Sequence, residues 1–179
     1  MILAVAPYHV DALLPKDTPD YIQTAYQSLH YHAITTVYLR YAQAVKLPAP
    51  LTGFADGTAQ WVLHRGALGL PDNEVAVVIS VSDYTEAWKD KDLAEKVHAD
   101  IKRICPDLGK PEAVRIITEK RATTAATVDF VQPDFSWLHH RRIYPAGDYL
   151  HPRYPATLEA AVQSGFAAAE KLILDLRFE

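Results

Sequence analysis

The chain has 179 residues, of which 49% are hydrophobic and 22% charged, and its formal net charge is −4. This composition predicts an ordinary globular protein and excludes disorder; without a local basic patch, the negative charge also excludes a nucleic-acid partner. Cys105 is the only cysteine, which excludes an internal disulfide and fits a reducing compartment, so we expect a cytoplasmic location.

The first forty residues predict a strand, a helix and a second strand. Residues 2–6 form a short apolar run that Pro7 stops. Residues 17–20 provide a capped start for a helix that reaches about Leu29. One stripe of this helix has residues at steps of four: Tyr21, Ala25 and Leu29. Residues 31–41 are rich in β-branched and aromatic side chains, which predicts a long strand.

The middle of the chain predicts the centre of a sheet and a helix that covers it. A short strand at 60–64 precedes a loop, and residues 75–81 are apolar at both parities, as in a central strand buried on both faces. Residues 83–105 predict an amphipathic helix, and residues 114–121 predict a further strand. The apolar stripe of the helix is formed by Leu93, Val97, Ile101 and Ile104.

The last third predicts an irregular segment at 128–140, a strand at 142–146, a turn at 147–149 and a helix from Pro155 to about Leu176. One side of that helix is apolar: Leu158, Val162, Ala169, Leu172 and Ile173. Together the elements predict an α+β fold, with a mixed, largely antiparallel sheet and helices on one face.

The closing strand, turn and helix have the chemistry of a cofactor site. Gly147 lets the backbone approach a ligand, and Asp148 can accept hydrogen bonds from ribityl or ribose hydroxyls. The helix N-terminus offers N–H groups and a partial positive charge, which would stabilise the N1–C2=O edge of a reduced flavin. Small residues make one side of the helix thin: Ala160, Ala161, Ser164, Gly165 and Ala168. Spacing alone favours cofactor approach and plain helix-on-sheet packing equally.

The same segment resembles a known family. It is similar to the C-terminal flavin-binding signature of the flavin amine oxidase superfamily at 147–149, 155–161, 164–165 and 167–169. Residues 60–62, 65–66, 77–80 and 118–123 more narrowly resemble the squalene-associated FAD-dependent desaturases, the group that includes the hydroxysqualene dehydroxylases. The resemblance covers nearly the whole chain. It departs at Ala160, where the family's usual glycine would follow the Leu–Glu pair.

This resemblance implies an FAD site and a division of the chain. The implied cofactor-binding residues are Gly147, Asp148, Tyr149, Ala156, Thr157 and Leu158. Residues 1–141 would be a substrate-domain-like α+β region, and residues 142–179 the last strand, turn and helix of an FAD-binding domain. Because N5 of the flavin would exchange a hydride with the substrate, no catalytic side chain is expected.

The resemblance also implies a partner. The family's N-terminal nucleotide-binding half carries Gly-x-Gly-x-x-Gly, a spacing that the seven glycines here do not show. We therefore expect that half to lie outside this chain, and we expect the chain alone to be inactive and to bind FAD weakly or not at all.

Histidines and aromatic residues allow further interpretations. The eight histidines do not follow a known ligand spacing, so no metal is expected. Five aromatic side chains could form ordinary core, which we favour, or line an apolar tunnel for a polyisoprenoid. They are Tyr31, Tyr38, Tyr41, Trp61 and Trp137.

The predicted function is thus that of a C-terminal fragment of an FAD-dependent oxidoreductase. Its substrate would be small and apolar, specifically a long isoprenoid of the squalene or hopanoid pathway. Two alternatives stay open: a fragment of a flavin amine oxidase, and a non-catalytic domain that binds an apolar ligand. Homo-oligomerisation and peripheral membrane contact are also left open.

Overall fold

The computed structural model describes residues 1–128, 133–151 and 153–177. They divide into two compact units. Residues 31–123 form the sheet unit, and residues 1–30 together with those from 124 onward form the terminal unit. The functional division predicted at 141/142 does not coincide with these bounds and stays a prediction.

The described strands are, in chain order, β1 (Ile2–Leu3), β2 (Tyr31–Arg40), β3 (Leu51–Gly53), β4 (Trp61–His64), β5 (Glu74–Ser80), β6 (Ala113–Thr124) and β7 (Tyr144–Pro145). The described α-helices are α1 (Asp20–Gln27), α2 (Asp90–Lys102), α3 (Ser136–His140) and α4 (Leu158–Arg177). None of these helices is long and apolar enough to cross a membrane.

Among the described residues, five strands form one sheet in the order β3-β4-β5-β2-β6. β5 pairs antiparallel with both neighbours, and Val77 lies opposite Val37 on one side and Val62 on the other. The apolar run at 75–81 was predicted to be the central strand, and this is confirmed. β3 was not predicted, because Gly53 and the nearby prolines indicated only a turn.

α2 covers the inner face of the sheet. Its Leu93, Val97 and Ile101 pack against the β-branched side chains that alternate along β2 and β5, as the predicted stripe required. The helix predicted from residue 83 starts later. Residues Ser82–Ala87 instead form a 3₁₀ segment, in which the buried Thr85 hydroxyl donates to the Ser82 carbonyl at 2.7 Å.

The middle of the outer face of the sheet is largely apolar and partly open to solvent, and the Arg65 guanidinium lies over the Tyr38 ring. Its exposed or half-buried members are Thr36, Tyr38, Trp61, Leu63 and Val78. Trp61 lies opposite Val78, and Tyr38 opposite Ala76, so these side chains form a continuous patch on neighbouring strands.

In the terminal unit, α1 buries a face that differs from the predicted one. Ile22, Tyr26 and Leu29 are buried, whereas Tyr21 is 51% exposed. Within α1 the predicted stripe was therefore wrong by one position, because the buried pair is Ile22 and Tyr26, four residues apart. Its last member, Leu29, is buried but lies beyond the end of α1 at Gln27.

The predicted strands at both ends of the chain pair with each other but are shorter than expected. β1 pairs in parallel with β7 through Ile2 opposite Tyr144 and Leu3 opposite Pro145. The predicted irregular segment at 128–140 contains α3, and its residues 129–132 lie outside the described residues.

α4 packs through small residues. Only Ala160 and Ala168 are buried on it; Ala168 contacts Tyr144 and Ala146 around β7. The large apolar residues of its other side are exposed, among them Leu158, Val162, Phe166, Ile173 and Leu176, which we call the α4 stripe. The side of α4 that carries small residues thus packs against β7 of the same chain.

Candidate functional site

Contacts with Ser164 and Tyr149 determine the conformation of the turn at Gly147. Its N–H donates to the Ser164 hydroxyl of α4 at 2.9 Å, which ties the end of β7 to the helix. A Cβ placed on Gly147 would lie 2.3 Å from the Tyr149 ring. Glycine is therefore required here by the packing of Tyr149, a reason that the sequence did not reveal.

Asp148 and the start of α4 are brought together by a backbone hydrogen bond. The Ala156 N–H donates to the Asp148 carbonyl at 3.3 Å, although the two residues are eight positions apart. Ala156 adopts a φ of 59°, a left-handed conformation that costs a residue with a Cβ about 1 kcal/mol. The half-buried Asp148 carboxylate has no hydrogen-bond partner within the described ranges, so it is available to accept.

Thr157 and Leu158 form the beginning of α4. The Thr157 hydroxyl accepts from the Ala160 N–H at 3.1 Å and donates to the Tyr154 carbonyl at 2.8 Å, which makes it the helix cap. Leu158 is 89% exposed. The start of α4 therefore lies beside Asp148 and, with the exposed Leu158, forms an open ledge.

Tyr149 belongs to the core of the terminal unit. Its ring is buried and packs edge-on against Tyr26 with centroids 6.1 Å apart. Burial raises the pKa of Tyr26 to about 12, and the neighbouring Tyr149 side chain opposes part of that rise. The Tyr149 side chain thus braces the turn, and any contact of this residue with a cofactor would involve its backbone.

His151 holds the loop before α4 in place, a role that the sequence did not predict. Its Nδ1 accepts from the N–H groups of Arg153 and Tyr154, at 3.2 Å each. Its Nε2 therefore carries the proton and donates to Gln163 Oε1 on α4 at 2.8 Å. The ring also stacks on Tyr154 with centroids 4.6 Å apart. His151 thereby fixes the loop that delivers Ala156 to Asp148.

The histidine and aromatic side chains that the sequence offered as further candidates do not gather at one site. Within the described ranges, no group of three histidine, cysteine or acidic side chains is placed to hold a metal. Tyr41 is buried in the core of the sheet unit, as the favoured interpretation predicted, but Trp61 lies 48% exposed on the outer face. Trp137 lies in α3 beneath the Arg141 guanidinium.

Residues 1–173 match the family of flavin containing amine oxidoreductases, and the chain belongs to that family. Membership implies a flavin cofactor.

Two curated relatives make the likeness more specific. The chain is 31% identical to a hydroxysqualene dehydroxylase of Rhodopseudomonas palustris and 26% identical to one of Zymomonas mobilis subsp. mobilis, over 97% and 95% of its length. It spans only 38% of the length of each relative.

A solved structure of a putrescine oxidase bound to putrescine shares the fold. The match covers 94% of this chain and 41% of the oxidase, with a TM-score of 0.61 and 15% identity.

Proposed function

We propose that the terminal unit of this chain forms one wall of the flavin site of an FAD-dependent oxidoreductase. We also propose that the sheet unit carries a substrate-facing surface. The observation that carries the proposal is the ledge formed by the acceptor Asp148 and the start of α4, in a chain that belongs to a flavin-dependent family. The bound FAD would supply hydride exchange at N5.

The residues of the ledge have separate tasks in holding FAD. Asp148 would accept hydrogen bonds from ribityl or ribose hydroxyls, because its carboxylate is half-exposed and is not used by the described protein. The first-turn N–H groups of α4 would stabilise negative charge on the flavin ring. The Thr157 hydroxyl is already used as the cap, so its part would be to position those N–H groups.

We propose a long isoprenoid as the substrate, in a reductive removal of a hydroxyl group or a desaturation. Both curated relatives are hydroxysqualene dehydroxylases. The outer face of the sheet supports this choice, because Tyr38, Trp61 and Val78 form an apolar patch that a chain without hydrogen-bonding groups can cover.

We propose the N-terminal nucleotide-binding half as the partner of the terminal unit. The α4 stripe exposes Leu158 at 89% and Phe166 at 66%, and a patch of this kind is typical of a surface that another body covers. The relatives are more than twice as long as this chain, which leaves room for such a body. Without it, we expect this chain to hold no stoichiometric FAD and to be inactive.

The first experiment measures flavin content. The chain purified alone should be colourless, and co-expression with the nucleotide-binding half should give a complex with one FAD. Asp148→Asn should lower the FAD affinity of that complex about tenfold, because a charged acceptor becomes neutral. Asp175→Asn, which alters a carboxylate bound to Tyr144, is the matched control. Stoichiometric flavin in the chain alone would overturn the need for a partner.

The second experiment identifies the substrate class under anaerobic conditions. We expect hydroxysqualene to reoxidise the reduced flavin of the complex, and we expect putrescine to leave the oxidised flavin unchanged. Reduction of the flavin by putrescine, without any reaction of hydroxysqualene, would favour an amine oxidase instead. No redox response to either compound, with apolar-ligand binding retained, would favour a non-catalytic binding domain.

A further inference from the structure

A cavity lies in the sheet unit, between α2 and the start of β6. Its volume is about 660 Å³, within the range of small-molecule sites. Its floor is apolar and consists of Ala94, Pro111, Val114 and Ile116. Ala94 is a buried residue of α2, and Val114, on the edge strand β6, is 45% exposed.

His98 forms the polar wall of this cavity. A contact with the buried Tyr41 fixes the orientation of its ring. Its Nδ1 lies 3.1 Å from the hydroxyl of the fully buried Tyr41. Burial raises the pKa of Tyr41, so that its hydroxyl keeps its hydrogen and needs an acceptor. We assign Nδ1 of His98 as that acceptor, which places the ring proton on Nε2 as a donor.

The charges around the cavity define what its polar end can bind. Lys110 lies at the rim and has no ion pair among the described residues, whereas Lys91 is 3.8 Å from Glu95. Asp90 also lines the cavity. Burial and the nearby Lys102 and Lys110 lower the pKa of His98, so its ring is neutral at pH 7.

We propose that this cavity binds a medium-chain aliphatic carboxylate, with its chain on the apolar floor and its carboxylate between Lys110 and His98. One unpaired cation and one N–H donor match the single charge and two oxygens of a carboxylate. A phosphate dianion is disfavoured, because Asp90 and Glu95 would repel its second charge. The site shares no residue with the flavin ledge and does not depend on the proposed function.

The test uses the whole chain, with decanoate and decanol as probes in titration calorimetry. Decanoate should bind about tenfold more tightly than decanol, and Lys110→Gln should remove that difference. Ala94→Phe should abolish binding of both probes by filling the cavity. Lys102→Gln is the matched control: it removes a neighbouring cation that does not line the cavity, and it should leave decanoate binding within twofold.

Circular dichroism of each variant checks that the fold is intact, and Lys110→Gln alters an exposed side chain, so it keeps the test valid if Ala94→Phe unfolds. The proposal is overturned if decanoate does not bind the unaltered chain, or if decanol binds as tightly. It is also overturned if Lys110→Gln has no more effect than Lys102→Gln.

Discussion

α2 and α4 are both amphipathic helices, yet the structure uses their apolar sides in opposite ways. α2 buries Leu93, Val97 and Ile101 against the sheet of its own unit. α4 is longer, but it buries only Ala160 and Ala168 and leaves its large apolar residues exposed. The apolar side of α2 is therefore covered within its own unit, whereas α4 presents apolar surface of the kind that another body covers.

The loop at residues 57–59, beside α2, is also satisfied by contacts within its own unit. The buried Asp100 carboxylate accepts from the N–H groups of Thr58 and Ala59, at 2.7 and 2.9 Å. Gly57, with a φ of 99°, lies directly against that carboxylate. In α4, by contrast, nothing lies within 4 Å of the position that a Cβ on Gly165 would take.

A pair of isoleucine substitutions gives the strongest test of the difference in burial between α2 and α4. Ile101→Ala should lower the free energy of unfolding of the sheet unit by about 3 kcal/mol, because Ile101 is fully buried. Ile173→Ala should change that of the terminal unit by less than about 0.5 kcal/mol, since this side chain is 49% exposed. Urea unfolding followed by tryptophan fluorescence measures both, with Trp61 and Trp88 reporting on one unit and Trp137 on the other. Equal costs would contradict the contrast.

Alkaline pH tests whether the terminal unit has a real core of its own around Tyr26. The pKa of Tyr26 is raised from an ordinary value of 10.0 to about 12. Its contribution is constant below pH 10. Between pH 10 and 12 the unfolded chain loses this proton first, so stability falls, by roughly 3 kcal/mol in total. Tyr26→Phe should remove this part of the alkaline loss, whereas Tyr21→Phe, at an exposed position of α1, should not. Identical alkaline profiles for Tyr26→Phe and the unaltered chain would argue against a buried Tyr26.

Two glycine substitutions should change stability in opposite directions. Gly57→Ala should cost about 2 kcal/mol, because its left-handed backbone and the Asp100 carboxylate both exclude a Cβ. Gly165→Ala should stabilise the isolated chain by about 1 kcal/mol, since alanine favours a helix and has free space there. Thermal unfolding followed by circular dichroism measures both. A destabilising Gly165→Ala would show that this side of α4 is covered within the chain.

The smallest effect on stability is expected in the α4 stripe. Phe166→Ser should change the free energy of unfolding of the isolated chain by less than about 0.5 kcal/mol, because this side chain is 66% exposed. It should nevertheless weaken assembly with the nucleotide-binding half, measured by co-purification, about tenfold or more. Lys171→Gln, which removes a charge from the same helix, is the control. Unchanged assembly would place the partner elsewhere.

Local patterns predicted the sheet unit well. A run of β-branched and aromatic residues located β2, and a run that is apolar at both parities located β5. The steps of four between Leu93, Val97 and Ile101 located α2, because each of these patterns reflects burial within the chain. The same logic gave the wrong stripe on α1, where Tyr21 and Ile22 are both apolar and only packing decides between them. β3 was missed because a three-residue edge strand carries too little pattern.

For the candidate site, residues 142–158 predicted a strand, a turn and a helix start, and the structure contains them in that order. The resemblance of these residues to a family predicted a flavin cofactor, and the family match supports that prediction. His151 was not predicted as a brace, because its partners Gln163 and Tyr154 lie on either side of a turn whose geometry no local pattern encodes.

The sequence by itself determined the α+β class, the central strand and the family, because composition, periodicity and a contiguous motif are all local properties. Only the tertiary structure decided that Asp148 meets Ala156, that Tyr149 occupies the space above Gly147, and that α4 packs through its alanines. These outcomes depend on which side chains compete for the same volume, and that competition is settled between residues far apart in the chain.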